Sequence, residues 1–442
     1  MGSVSIDVSE LSALDQAAHE ASAAAKFISS YCELSGIPNP AFGPEGPDAT
    51  PLRDAPVAVR DARQRLLGAA LKLQQLATDP AEHLSWLSCQ YQIITAIHWL
   101  CHFEVLSALP MHGVVKYTHV SSICNVPVRQ LESMARMAMA SNFLCEPEPG
   151  RVAHSALSRY FAVNHAFPGW IRFMTGYYMP CAAKSISATE KWGETTNKHQ
   201  TASNLAMDTT LSSFDFITQS KDLGRLFSGY MKGVHAGIAT NVSQVVEDYS
   251  WASIGNGLVV HVDGSPGHVA IALAKAHPSL RFVVQDAAET LRMSRGMMAG
   301  QPAQLRNRIQ TKVHSRFETQ PILDADVYIL RMTLHNYSDD EAVRILNALL
   351  PALKGNPAAR LLIIETVLSQ SPGMAGNPRD EAMERYRDLV MLQVFSAKER
   401  NLQEFEKLLA DASDSEGKII IKSVRKSPGA TISTMEVAYE KL

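Results

Sequence analysis

The sequence has no surplus of positive charge: 41 Lys and Arg stand against 44 Asp and Glu in 442 residues, a formal net charge of -3. A nucleic-acid binder usually carries a basic excess, so that class is disfavoured. Cysteine is scarce. The six (Cys32, Cys89, Cys101, Cys124, Cys145, Cys181) all lie in the N-terminal half and none forms a CxxC pair. That argues against a disulfide framework and for free thiols in a reducing compartment. No HExxH spacing occurs and the histidines are scattered, so no metal is expected. The N-terminal stretch MGSVSIDVSELSALDQ lacks the basic and apolar segments of a leader. The longest apolar run, Ile93 to Leu109, is interrupted by His98, His102 and Glu104, so it reads as a buried helix and not a membrane span. A cytoplasmic chain of two or three domains is expected, with neither nucleic acid nor membrane as partner.

What is present is strongly patterned. Residues 8–35 read as an amphipathic, alanine-rich helix, followed by a Pro/Gly-rich loop from Gly36 to Pro56 that includes Pro51. Helical periodicity resumes over 57–77 and 83–108. A short strand at 114–117, helices at 120–124 and 128–140, and a hairpin of 143–145 with 151–153 make a winged-helix pattern. Its second helix is apolar along one side and only weakly basic, which favours a dimerisation wing over DNA contact. Met and aromatic residues over 167–192 and 214–231 line a substrate cavity or pack as core. The expected domains are an arm (1–56), a winged-helix dimerisation domain (57–165), a helical connector lining the pocket (166–250) and a Rossmann-like domain (251–442).

From Gly257 onward the texture changes. Leu258–Val262 is a continuous apolar strand, then Gly264-Ser265-Pro266-Gly267 opens a helix through Ala276, and a strand from Arg281 ends on Asp286. Buried strands follow at 327–334 and 361–367, and strands at 418–424 and 432–439 close the chain as a hairpin. Non-alternating strands separated by helices predict a parallel sheet covered on both faces. Ligands bind such a sheet beyond the C-terminal ends of its strands. Gly264 and Gly267 would let a cofactor approach the backbone, and Asp286 stands where an acid accepts ribose hydroxyls. His335 lies at the end of a buried strand, where a neutral imidazole could take a proton. Glu365 and Glu399 are the carboxylates available to orient it, and Glu365 in so apolar a strand needs a partner.

These residues resemble the plant- and fungal-type small-molecule O-methyltransferases over nearly the full chain. The pattern VVDxGGSxGHxxxALAxxxPxLxxxVQDLP is met by residues 259–286, ADVYxLRxxLHDWxD by 325–339, and DLxMLxxFxxKER by 388–400. The resemblance implies a seven-stranded α/β methyltransferase domain binding S-adenosylmethionine, with His335 as general base and Glu365 and Glu399 as the acids that hold it. It further implies a homodimer with interlocked N-terminal helices. Gly264, Gly267, Asp286, Ser315 and Arg331 make up the expected cofactor contacts, and Met231, Asn336, Met391 and Phe395 the expected substrate pocket.

The departures are as informative as the matches. The family Asp at the end of the first strand is His261, the first glycine of the turn is Asp263, and the acid of HDFF-like segments is Ser315 in His314-Ser315-Arg316-Phe317. Asn336-Tyr337 replaces Asp-Trp after the base. Each lost acid forfeits a hydrogen bond of about 1–3 kcal/mol, so two or three losses would weaken the cofactor about a thousandfold. An intact base beside an eroded cofactor motif favours a pericyclase. Such an enzyme would catalyse dehydration or cyclisation of a reactive polyketide-type intermediate without methyl transfer. The alternatives are a true S-adenosylmethionine-dependent O-methyltransferase acting on a phenol or enol, and a non-catalytic winged-helix sensor.

Overall fold

The computed structural model describes residues 11–47, 52, 54–164, 166–371, 373 and 377–442. The start of the first expected helix (8–10) and Pro51 lie outside them. Chain contacts define two compact units, one drawn from 1–184, 206–234 and 376–379, the other from 185–205, 235–375 and 380–442.

In the first unit, α1 (Ala13–Leu34) starts where Ser12 accepts the backbone N–H of Asp15, an N-cap that satisfies one orphan donor. It packs on α2 (Val57–Ala77) through Ile28, Cys32, Leu52, Ala55, Val59 and Ala62. Arg159 donates to the carbonyls of Pro44 and Gly46, which ties the Pro-rich loop down. α3 (Pro80–His102) is capped by Asp79 and buries only its C-terminal half, through Ile93, Ala96, Leu100 and Cys101. The expected helix to residue 108 is broken. Glu104 takes a left-handed φ of 55°, and the chain turns so that Val105 and Leu106 enter the same core as Leu100. β1 (Val115–Lys116), α4 (Tyr117–Cys124), α5 (Val128–Met139), β2 (Leu144–Glu148) and β3 (Arg151–His154) follow, the strands forming a sheet of order β1-β3-β2. Further on, α6 (Lys221–Ala236) contributes Phe227 and Tyr230 to a ring cluster around the fully buried Phe173. Phe173 and Tyr177 therefore pack as core.

The second unit is built on seven strands: β4 (Leu258–Val262), β5 (Arg281–Asp286), β6 (Ile309–Val313), β7 (Val327–Arg331), β8 (Arg360–Glu365), β9 (Gly417–Arg425) and β10 (Ser433–Lys441). Their order is β9-β10-β8-β7-β4-β5-β6, parallel from β8 to β6 with an antiparallel hairpin at the other edge. Alternate residues of each central strand feed two cores. Val260, Tyr328, Leu330, Leu361 and Ile363 face α8 (Asp339–Gly355) and α10 (Leu402–Asp411). Val259, Val284, Ile329 and Ile364 face α7 (His268–Ala276). The doubly covered parallel sheet is the α/β arrangement that the apolar, non-alternating strands predict. β6 escapes that pattern because Ile-Gln-Thr-Lys-Val is an edge strand with mostly exposed side chains. β7 stops at Arg331 rather than at 334, since Met332 turns to φ 52° and a 3-10 turn, Leu334–Asn336, begins. Among the described residues no helix is long and apolar enough to cross a membrane.

Candidate active site

The C-terminal ends of β4, β5, β7 and β8 carry the polar groups. Glu365, the last residue of β8, is fully buried, and its Oε1 accepts the backbone N–H groups of Thr333 (2.7 Å) and Leu334 (2.8 Å). The strand's carboxylate thus holds the turn that presents His335. His335 Nδ1 lies 2.9 Å from Glu399 Oε1 and 3.7 Å from Glu365 Oε2. Glu399 follows α9 (Pro378–Phe395), and its backbone N–H donates to Asp388 Oδ1 at 3.0 Å. Arg400, also buried, donates to the carbonyls of Leu334 (3.1 Å) and Tyr337 (2.9 Å) and pairs with Asp339. The trio His335, Glu365 and Glu399 is therefore brought together, walled by backbone donors and by arginines.

Burial alone would lower the His335 pKa, but the carboxylates of Glu399 and Glu365 outweigh it and hold the imidazole above its ordinary value. Burial pushes Glu365 up. Burial pushes Glu399 the same way, yet His335 and Arg387 bring it below the usual carboxylate range. The ligand atoms of the trio lie within 4.8 Å of one another, close enough for the two carboxylates to act together on one imidazole. Arg387 Nε, 3.4 Å from Glu399 Oε1, supplies positive charge there.

At the turn after β4 the chain is tight. A Cβ on Gly264 would meet the His261 ring at 2.6 Å, and Gly267 sits at φ 96°. Asp286 ends β5; its carboxylate accepts the N–H of Ser265 (3.2 Å) and of Ala287 (2.7 Å). Burial, reinforced by Arg331, drives His261 down to about 3, so it is neutral near pH 7. Arg331 is 8% exposed, donates to the Thr240 carbonyl at 2.7 Å, and is lowered to about 10 mainly by burial. Ser315 is exposed, its hydroxyl accepting the N–H of Phe317 at 3.4 Å.

Two of the departures from the family pattern, Asp263 and Tyr337, meet at Arg316. Arg316 pairs with Asp263 and donates to the Tyr337 hydroxyl. Asp263 follows β4 and Arg316 follows β6, while β5 lies between those strands and ends on Asp286. The pair therefore forms a clasp across the end of β5. Burial raises Asp263 to about 6 against the pull of Arg316. Tyr337 is also covered by Lys198, whose Nζ lies 4.4 Å from the ring centroid.

The expected pocket residues fall on three elements. Asn336 spends its amide on the carbonyls of Met332 (3.2 Å) and Thr333 (3.3 Å). Met391 and Phe395 are buried on α9, and Met231 is half-buried on α6 of the first unit. Asp388 and Arg400 are the first and last residues of the DLxMLxxFxxKER match and Arg387 directly precedes it, but the sequence assigns none of the three a role.

Residues 196–413 match the model of the O-methyltransferase domain family. Residues 11–78 match the N-terminal domain of the trypacidin cluster transcriptional coactivator tpcD. The O-methyltransferase VdtC of Byssochlamys spectabilis is 38% identical over 434 residues, covering 97% of this chain and 98% of that protein. Among solved structures, OxaC in complex with SAH and oxaline superposes with a TM-score of 0.72 at 17% identity, covering 97% of this chain and 99% of that one. A structure described as a pericyclic reaction enzyme gives 0.69 at 18% identity, covering 86% and 95%. At those identities the structural matches speak for the fold alone.

Proposed function

The chain belongs to the O-methyltransferase family, and from that premise we propose that it transfers a methyl group from S-adenosylmethionine to a phenol or enol of a bulky secondary metabolite. The observation that carries this reading is the orientation of His335. Glu399 takes Nδ1, which leaves Nε2 as the nitrogen for a substrate hydroxyl. Glu365 and Glu399 stabilise the imidazolium formed when that proton arrives. No full alkoxide need build up before the oxygen attacks.

The residues present also suit the cofactor. Among the described residues, buried polar atoms without a hydrogen-bond partner include both ring nitrogens of His261, Asp263 Oδ1 and Arg331 Nε. Unsatisfied buried groups are rare, and several at neighbouring strand ends call for a partner. Asp286 would accept the ribose hydroxyls, Arg331 would hold the amino-acid carboxylate, and neutral His261 would accept from its ammonium. Bound there, S-adenosylmethionine supplies an electrophilic methyl on a sulfonium. The clasp crosses the end of β5 beside Asp286, where the adenosyl half would bind.

A second reading, pericyclic ring closure with loss of water, is favoured by that clasp and by the proton His335 holds above its ordinary pKa range. An imidazolium donates to a leaving hydroxyl or a polarised carbonyl. With a panel of aromatic phenols and enols and methyl-labelled cofactor, we expect label in the product and cofactor binding by calorimetry. Turnover that persists after exhaustive cofactor removal, with no label incorporated, would instead establish the second reading.

We infer further that the protein is a homodimer through α3. Its N-terminal half is exposed, and Leu84 (74%), Leu87 (49%) and Tyr91 (55%) form one apolar stripe at helical spacing. Light scattering should give twice the chain mass, and Leu84→Glu with Leu87→Glu should halve it. A monomeric wild type would end this inference.

A further inference from the structure

Two carboxylates beside one imidazole pose a problem for a base. Unopposed, they would keep His335 protonated, and an imidazolium accepts no proton. α9 presents successive residues to Glu399: Asp388 takes its backbone N–H, and Arg387 faces its side chain. Arg387 Nε is 3.4 Å from Oε1, the same oxygen that lies 2.9 Å from His335 Nδ1. The same Nε donates to Thr366 Oγ1 at 2.8 Å, which fixes the guanidinium in place. Glu399 is therefore shared between a cation and the base.

We propose that Arg387 is a positioning residue that tunes the base, drawing off part of the Glu399 charge so that His335 can lose its proton near neutral pH. The inference rests on the reading of His335 as the group that gains the substrate proton.

Every element around the ring contributes. Glu365 faces it from β8. Glu399 and Arg387 face it from the α9 side. Arg400 binds the turn's carbonyls. Arg331 on β7 interacts through its charge with Arg387 and with Glu365. Of these cations only Arg387 lies within 4 Å of either carboxylate. Its effect on His335 is in the required sense, opposing the two acids. Arginine suits the role because it stays charged when buried.

The test titrates the ring of His335 by NMR in protein carrying labelled histidine, without substrate, its signal identified by loss in His335→Asn. Arg387→Gln keeps a donor for Thr366 and removes only the charge. Its His335 midpoint should rise by about one pH unit, and the acid limb of the pH–rate profile should move up with it. The result would be a roughly tenfold loss near neutral pH that is recovered in alkali. Arg387→Lys retains charge without the fork and should fall between wild type and Gln, which keeps the test open if the Gln variant does not fold. A midpoint at or below the wild-type value in Arg387→Gln, or one below it in Arg387→Lys, overturns the proposal. A midpoint that rises while turnover ignores it leaves the tuning intact and removes His335 as the base.

Discussion

Replacing His335 by alanine is expected to lower kcat by about 10²–10⁴-fold, the ordinary worth of a positioned general base, with little change in KM. The ring is buried, held on Nδ1 by Glu399 at 2.9 Å, and carried on a turn that Glu365 braces through two backbone N–H groups. Glu399→Gln should lose less in kcat, because the amide still orients the ring but no longer compensates its positive charge. The pH dependence separates the two chemistries. His335 titrates above its ordinary 6.5 because Glu399 and Glu365 outweigh burial. A base works only when neutral, so kcat for methyl transfer should be full above that pKa and fall as pH drops through it. An acid that donates to a leaving hydroxyl works only when protonated, so dehydration should be full below that pKa and fall as pH rises through it. A profile with the second slope would remove methyl transfer as the function.

The second large effect concerns the clasp. Asp263→Gly restores the family residue at the turn, yet alone it is expected to destabilise the fold by about 1–3 kcal/mol. Breaking a buried pair strands the remaining charge, and side-chain exposures of 27% for Arg316 and 14% for Asp263 reduce the full penalty. Arg316→Phe alone should cost a similar amount. The double variant should lose far less than the sum, because no unpaired charge remains, and a double-mutant cycle on thermal or denaturant unfolding measures the difference. The same double variant should bind S-adenosylmethionine about tenfold or more tightly than wild type, since the way over β5 is then open. Additive losses would show that Asp263 and Arg316 do not act as one unit. Calorimetry showing no gain in affinity would mean that the clasp is no obstacle to the cofactor.

That pair shows where sequence reasoning stops. Read singly, His261, Asp263, Ser315 and Tyr337 look like independent erosion of a cofactor motif. The fold makes Asp263, Arg316 and Tyr337 members of one hydrogen-bonded group, because β4 and β6 flank β5 and deliver their following loops to the same edge. Ser315 is merely exposed, and His261 is buried beside Arg331. Arg387 lay in plain view next to a recognised motif, but nothing local ties an α9 side chain to the carboxylate twelve residues on that also holds the base.

The sequence by itself determined the class of fold, the parallel strands with their apolar, non-alternating runs, and the candidates His335, Glu365, Glu399 and Asp286 at strand and loop ends. Those features are local: periodicity, turn chemistry and the place of a polar residue in an apolar run are written within a few residues of one another. Tertiary structure alone decided that an edge strand forms at Ile309–Val313, where burial on one side left no apolar run to read. It alone decided which side chains share charge. Those partners lie far apart in the chain, and their free energies depend on the strand order that brings them together and on the burial that removes water from between them.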